Sequence, residues 1–270
     1  MNNTLSAPAP SRWGLSASTL KIIACVFMVI DHIGVIILPD LLILRVLGRL
    51  SYPIFAYFLA EGCRYTRNKL KRFLLVLGLA VLCEGVYYFM SGEPDGGILV
   101  NFSISILLVY QVQACKKALA RRRWWAVILW LLLFAASVAG VYYLVREVLY
   151  VDYGFWGILI PVWAVLPDYK EGEAPEFLKR FSGRWWKLLF FSVGLFILCA
   201  SRGLLENIQS FSLFALPLLE NIQSFSLFAL PLLALYNGTP GRKGLKYGFY
   251  IFYPAHLVVL WIIAAILQFR

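Results

Sequence analysis

Long apolar runs, separated by short basic or acidic segments, constrain this chain more than any other feature of its sequence. Runs of about 18 apolar residues are long enough to cross a bilayer as helices. In hydrocarbon every backbone N–H and C=O must find its partner within the protein, which leaves helices or a closed barrel. These runs are rich in Leu, Ile, Val and Phe. They lack the alternation over about ten residues that a barrel strand needs. Composition agrees, with 61% hydrophobic and 14% charged residues among 270, where a soluble domain carries about 25% charged. The expected fold is all-α, a polytopic integral membrane bundle of about nine transmembrane helices. Residues 19–270 form its single domain, after a polar, Pro-containing cytoplasmic tail at 1–18 that lacks the apolar core of a signal peptide.

The spans are expected near 20–38, 46–63, 70–90, 98–115, 124–144, 153–166, 185–200, within 205–236, and at 247–267. The loop charges test this order. Arg64, Arg67, Lys69, Lys71 and Arg72 lie in one loop, Lys116, Lys117 and Arg121–Arg123 in another. Lys170, Lys179, Arg180, Arg184 and Lys187 form a third cluster, and Arg242, Lys243 and Lys246 a fourth. The intervening loops carry Asp40, Glu93, Asp95, Glu147 and Asp152. This alternation places the basic loops and the amino terminus in the cytoplasm. The net charge of +11 is then a topology signal, and no nucleic acid is implied. Five scattered cysteines have no metal spacing and read as small apolar fillers.

The segment 205–218, LENIQSFSLFALPL, recurs identically at 219–232. Such a copy is too short and too perfect for a solenoid repeat. Fourteen residues rise about 21 Å as a helix, short of a comfortable span. The second copy, continuing into LALYNG, reads as the eighth span, with Pro217 interrupting any helix that joins the two.

Ionisable residues inside a span are costly and usually face the bundle interior or a polar cavity. Measured from the basic anchors, His32 lies about 16 Å above Lys21, Glu84 about 18 Å above Arg72, and His256 about 15 Å above Lys246. These are the chain's two histidines and a carboxylate at one depth. A neutral imidazole near the midplane can take a proton from a nucleophile. Asp31 adjoins His32 but diverges from it by about 100° on a helix, so Asp31 is expected to pair with Arg49 while Glu84 or Glu61 orients the histidine. A purely structural polar clip is the alternative for each histidine, and Arg45 and Arg49 read equally well as outer anchors. No P-loop, GxSxG, HExxH or CxxC is present, and a histidine-rich metal site is not expected.

Three segments carry a family resemblance: LKIIACVFMVIDHIGVIILP, LRVLGRLSYPIFAYFLAEGCRYTRN and, near the end, KYGFYIFYPAHLVVL. They resemble the TraX family, named for the conjugative-plasmid protein that N-acetylates F-pilin. Between them only pieces such as VDYGFWGIL fit, and the exact duplication departs from the family. The first helix is also similar to that of transmembrane acyltransferase-3 enzymes. Lys21 and His32 share their basic-residue-to-histidine spacing, and Arg64 and Arg67 correspond to their Arg-x-x-Arg motif. The resemblance implies a bacterial inner-membrane acyltransferase using acetyl-CoA, without a metal. Its partners would be the lipid bilayer, acyl-CoA and an extracytoplasmic acceptor amine or hydroxyl, on a pilin-like N-terminus or an envelope molecule. In that mechanism His32 is the general base, with Asp31 and Glu84 supporting its charge state. Lys21, Arg64, Arg67 and Lys69 hold the CoA phosphates. Arg49 or His256 polarises the thioester carbonyl. Arg45, Arg49, Glu61 and Tyr253 are the substrate-binding or charge-stabilising candidates. A proton-coupled transporter also needs midplane His, Asp and Glu, and a non-catalytic membrane assembly factor is the third reading.

Overall fold

The computed structural model describes residues 13–92, 96–169, 180–207, 222–242 and 245–268. The chain runs through α1 (Ala17–Ile36), α2 (Leu42–Gly48), α3 (Ser51–Tyr65), α4 (Lys69–Ser91), α5 (Ile98–Ala120), α6 (Trp124–Glu147), α7 (Gly154–Val165) and α8 (Arg184–Asn207). A 3₁₀ helix at Ile222–Phe228 leads into α9 (Ala229–Ala234), and α10 (Leu245–Gln268) ends the described chain. Polar caps mark several starts. Ser16 Oγ accepts the Thr19 N–H at 3.2 Å, and Asn68 Oδ1 accepts the Lys71 N–H at 2.9 Å, satisfying donors that a first turn leaves open. Gly92, at φ 80°, ends α4 with its N–H on Tyr88 O.

The fold is a polytopic helical membrane bundle. Among the described residues, seven helical stretches are long and apolar enough to cross a membrane, with α2 and α3 together making one stretch, Leu42–Tyr65. Two of the expected nine differ. The helix in the expected sixth position, α7, has 12 residues, a rise of about 18 Å against a hydrocarbon core of about 30 Å. Among the described residues, the expected eighth span holds the end of α8, the 3₁₀ helix and the six-residue α9. Residues 208–221, including Pro217 and most of the first duplicated copy, lie outside the described residues.

A short helix is tolerable at membrane depth when its backbone ends are satisfied inside protein, and α7 meets that condition. It starts at Tyr153 and Gly154, both at positive φ, and packs in the middle of the bundle with Ile158 and Ile160 fully buried. The Tyr52 hydroxyl donates to Gly157 O at 2.6 Å and Ser105 Oγ to Ile158 O at 2.8 Å. Beyond its far end, Lys116 Nζ donates to Val165 O at 2.5 Å and to Asp168 O at 2.9 Å. The core around α7 is built by α3, α5 and α8, through Tyr52, Ile54, Ile106, Phe191 and Leu195. By contrast α6 buries only Ala126 and Val127, and turns Leu129, Leu131 and Leu132 outward, as suits a helix at the lipid-facing edge. The five cysteines are free, and all but Cys115 are buried.

The helices α1 and α2 approach unusually closely. A side chain at Gly48 would run into that of Asp31, and one at Gly34 would meet Leu44 Cβ at 2.9 Å. Small residues let membrane helices pack at backbone distance. Here they bring the two arginines of the α2 segment over the ionisable stretch of α1. On the other side of α1, α10 packs against both α1 and α4.

Candidate functional site

The two histidines, 224 residues apart in sequence, meet between α1 and α10. His256 Nε2 lies 3.2 Å from His32 Nδ1, with ring centroids 4.9 Å apart in an edge-on arrangement. Each ring is held by its own helix: His32 Nδ1 lies 2.8 Å from Met28 O, and His256 Nδ1 lies 3.0 Å from Phe252 O. A carbonyl oxygen can only accept, so both Nδ1 atoms carry the proton in the neutral rings. Phe252 stacks on His256 at 5.3 Å and Tyr253 meets it edge-on at 5.5 Å.

Two adjoining cavities lie between the neighbours of this pair and the basic face. The first is a mouth of about 720 Å³ lined by Lys21, Arg67, Lys71, Arg72 and Arg242, with Ser18, Thr66 and Asn68. No carboxylate is among the described residues of that lining. The mouth shares Lys21, Arg72, Phe249 and Tyr250 with a narrow slot of about 140 Å³. Phe55, Phe58, Val76, Leu79 and Phe102 line the slot, and it reaches Met28 and Tyr253, the neighbours of the two histidines. Lys21 Nζ stands 5.4 Å from the centre of the Phe58 ring. The Arg72 guanidinium is fixed by Leu59 O at 3.3 Å and Thr66 Oγ1 at 3.2 Å, and Gly62 gives it room.

Above the pair, toward the opposite face, a second cavity of about 550 Å³ is lined by Gly34, Arg45, Arg49, Asp152, Tyr153 and Gln223. Arg45 Nη1 reaches Asp31 Oδ2 at 3.4 Å, so Arg45 rather than Arg49 makes the ion pair with Asp31. Arg49 donates instead to the Tyr153 hydroxyl at 3.3 Å and lies over that ring. The reason is the close crossing at Gly48, which sets Arg45 one turn earlier against α1. Asp31 Oδ1 and Arg49 Nε are buried without a hydrogen-bond partner among the described residues.

Several sequence candidates stand elsewhere. Glu84 accepts the N–H groups of Gly96 and Gly97 at 3.0 and 2.7 Å, tying α4 to the start of α5 rather than orienting a histidine. Lys69 lies over the Tyr110 ring at 4.7 Å and is not among the mouth residues. Arg64 points away from the mouth, to Asp168 Oδ1 at 2.5 Å. Glu61 pairs with Lys187, which also contacts Asp168 Oδ2 at 3.3 Å. Glu61, Arg64, Asp168 and Lys187 thus form an ionic cluster, buried at Lys187 and Asp168 and more open at Arg64, that joins α3, the segment after α7, and α8. By sequence Lys187 and Arg72 read only as topology signals. Both stand at the basic edge of an apolar run, in KLKRFLL and RWWKLLF, so no local signal separates them from their loop neighbours.

Comparison with known proteins follows the same outline. The TraX protein family model matches residues 16–264. The "Probable fimbrial assembly protein FimC, serogroup H1" of Dichelobacter nodosus is 28% identical over 262 residues, covering 91% of this chain and 94% of that protein. An uncharacterized protein of Rickettsia prowazekii (strain Madrid E) is 46% identical over 39 residues, 14% of this chain and 16% of that protein. No solved structure matches.

Proposed function

The chain belongs to the TraX family, and on that premise we propose that it is an acyl-CoA-dependent acyltransferase of the bacterial cytoplasmic membrane. It would move an acetyl or similar short acyl group to an amine or hydroxyl arriving from the opposite side. The observation that carries this reading is a basic mouth that adjoins a slender apolar slot, whose lining includes Met28 and Tyr253, the contacts of His32 and His256. Acyl-CoA has the same order of parts: anionic phosphates, a thin pantetheine arm and a terminal thioester.

The residues fit that substrate. Lys21, Arg67, Lys71, Arg72 and Arg242 supply charge-assisted donors for phosphate at the mouth. The positive-inside rule assigns this basic face to the cytoplasm, where acyl-CoA is made. The apolar slot excludes water from the thioester. His32 Nε2, whose ring proton sits on Nδ1, takes the proton of the acceptor N–H or O–H. The acceptor's lone pair bonds to the thioester carbonyl carbon, the carbon–sulfur bond breaks, and His32 returns the proton to the departing sulfur. Arg49, at the border of the upper cavity, is the cation available to the carbonyl oxygen as it gains charge. The acceptor is an envelope molecule or a pilin-like protein. The Dichelobacter relative's name, a fimbrial assembly protein, supports the second.

The test uses the full chain in proteoliposomes with acetyl-CoA, and mass analysis of envelope proteins and glycans from cells with and without it. Acetyl-CoA binds, and some envelope component gains the mass of an acetyl group. His32→Ala keeps acetyl-CoA affinity and loses transfer by about 100-fold or more. Absence of acetyl-CoA binding in the folded protein overturns the reading in favour of a non-catalytic assembly factor. Undiminished transfer in His32→Ala removes the general base.

A further inference from the structure

We infer that His256 is a positioning residue for His32: it accepts the Nδ1–H of His32 through its own Nε2 and thereby makes His32 Nε2 the base of the pair. The inference rests on the acyltransferase reading for its catalytic consequence, but its geometry stands by itself.

The direction of the contact follows from the helix carbonyls. Phe252 O, 3.0 Å from His256 Nδ1, can only accept, so in the neutral ring the single proton of His256 is on Nδ1 and its Nε2 presents a lone pair. Met28 O, 2.8 Å from His32 Nδ1, places the His32 proton on Nδ1 by the same rule. The 3.2 Å contact between His32 Nδ1 and His256 Nε2 is then donor to acceptor. The His32 proton is shared between Met28 O and His256 Nε2, and the remaining lone pair of His32 is on Nε2. With both His256 nitrogens committed, His256 cannot donate a hydrogen bond to a thioester oxygen. Of the two sequence candidates for that task, Arg49 remains.

A carboxylate usually fills this place behind a general-base histidine. Here the carboxylate next in sequence, Asp31, faces Arg45, and the second imidazole takes over. When His32 Nε2 picks up the acceptor's proton, the charge spreads to Nδ1–H, and the hydrogen bond to His256 Nε2 strengthens. A neutral acceptor does this without adding a second fixed charge. His256 is 6% exposed, so water does not compete for its lone pair. The two i−4 carbonyl bonds each stay within one helix, so the inter-ring hydrogen bond joins α1 to α10 whether or not it also serves catalysis. The two roles part in the kinetics: a clip affects folding, whereas a positioning acceptor affects transfer in the folded protein.

The chain's two histidines make the test direct. Nitrogen-15 NMR of the histidine-labelled full chain in nanodiscs gives two ring systems. The expected spectrum at neutral pH has both Nδ1 atoms protonated and both Nε2 atoms bare. His256→Gln places an amide oxygen where Nε2 stood and keeps acetyl transfer within about threefold of the native chain. His256→Leu binds acetyl-CoA with native affinity, loses transfer by about 100-fold, and shifts the His32 Nδ1 proton resonance. A protonated His256 Nε2 in the native spectrum overturns the inference, as does a leucine variant as active as the glutamine variant. If His256→Leu fails to fold, the native spectrum and the glutamine variant decide. If the native chain transfers no acyl group, the acyltransferase reading falls, and the spectrum still decides the hydrogen bond.

Discussion

Replacing Lys187 by Met asks whether the ionic cluster holds the bundle together or belongs to a ligand site. The Lys187 side chain is 5% exposed, and its ammonium bridges Glu61 and Asp168, whose side chains are 15% and 9% exposed. Methionine keeps the volume and removes the charge. Asp168 retains Arg64 at 2.5 Å, so the penalty concentrates on Glu61, left as a poorly solvated carboxylate. Breaking a buried pair by removing one partner costs about 3–5 kcal/mol, and Lys187→Met is expected in that range. Glu61→Gln removes the opposite charge, so the double variant is expected to recover about 2 kcal/mol of the summed single losses. The assay is equilibrium unfolding of the full chain in mixed detergent micelles, with acetyl-CoA affinity measured on the folded protein. Affinity stays native in the single and double variants. A Lys187→Met loss below about 1 kcal/mol, or a selective loss of acetyl-CoA affinity, refutes the assignment of this cluster to stability.

Three further outcomes follow. Arg67→Ala with Lys71→Ala removes two exposed mouth cations, each worth up to about 1 kcal/mol. Acetyl-CoA binding by calorimetry should weaken about tenfold in dilute buffer and much less at high salt. Gly48→Ala drives a methyl group into Asp31 and should destabilise the chain by about 1–3 kcal/mol in thermal unfolding, with Glu84→Gln as a comparison remote from that crossing. Tyr52→Phe deprives the buried Gly157 O of its 2.6 Å donor and should cost about 1–3 kcal/mol, with transfer per folded molecule retained.

The relation of sequence to site differs from residue to residue. Depth along a helix is a local quantity, 1.5 Å per residue, so His32 and His256 could be assigned a common level from their distances to Lys21 and Lys246. That estimate needs no knowledge of which helices touch. The same arithmetic put Glu84 at that level too, yet Glu84 serves the backbone of Gly96 and Gly97. Depth leaves rotation about the helix axis and the choice of neighbour open. Arg64, within a basic loop motif, was indistinguishable from Arg67 by spacing. In the structure Arg64 turns to Asp168 and Arg67 to the mouth.

By itself the sequence determined the class of the protein, since long apolar runs in a low-dielectric solvent allow few backbone solutions. It also determined which apolar runs carry ionisable side chains within them. Only the tertiary structure decided that α1 and α10 are neighbours, that Arg45 rather than Arg49 holds Asp31, and that α7 stops short of a full crossing. Each of these depends on packing between segments far apart in the chain. Two glycines set the approach of α1 to α2, and side chains of α3 and α5 satisfy backbone that α7 leaves open. No single segment encodes such contacts, because each one exists only when its partner helix is in place.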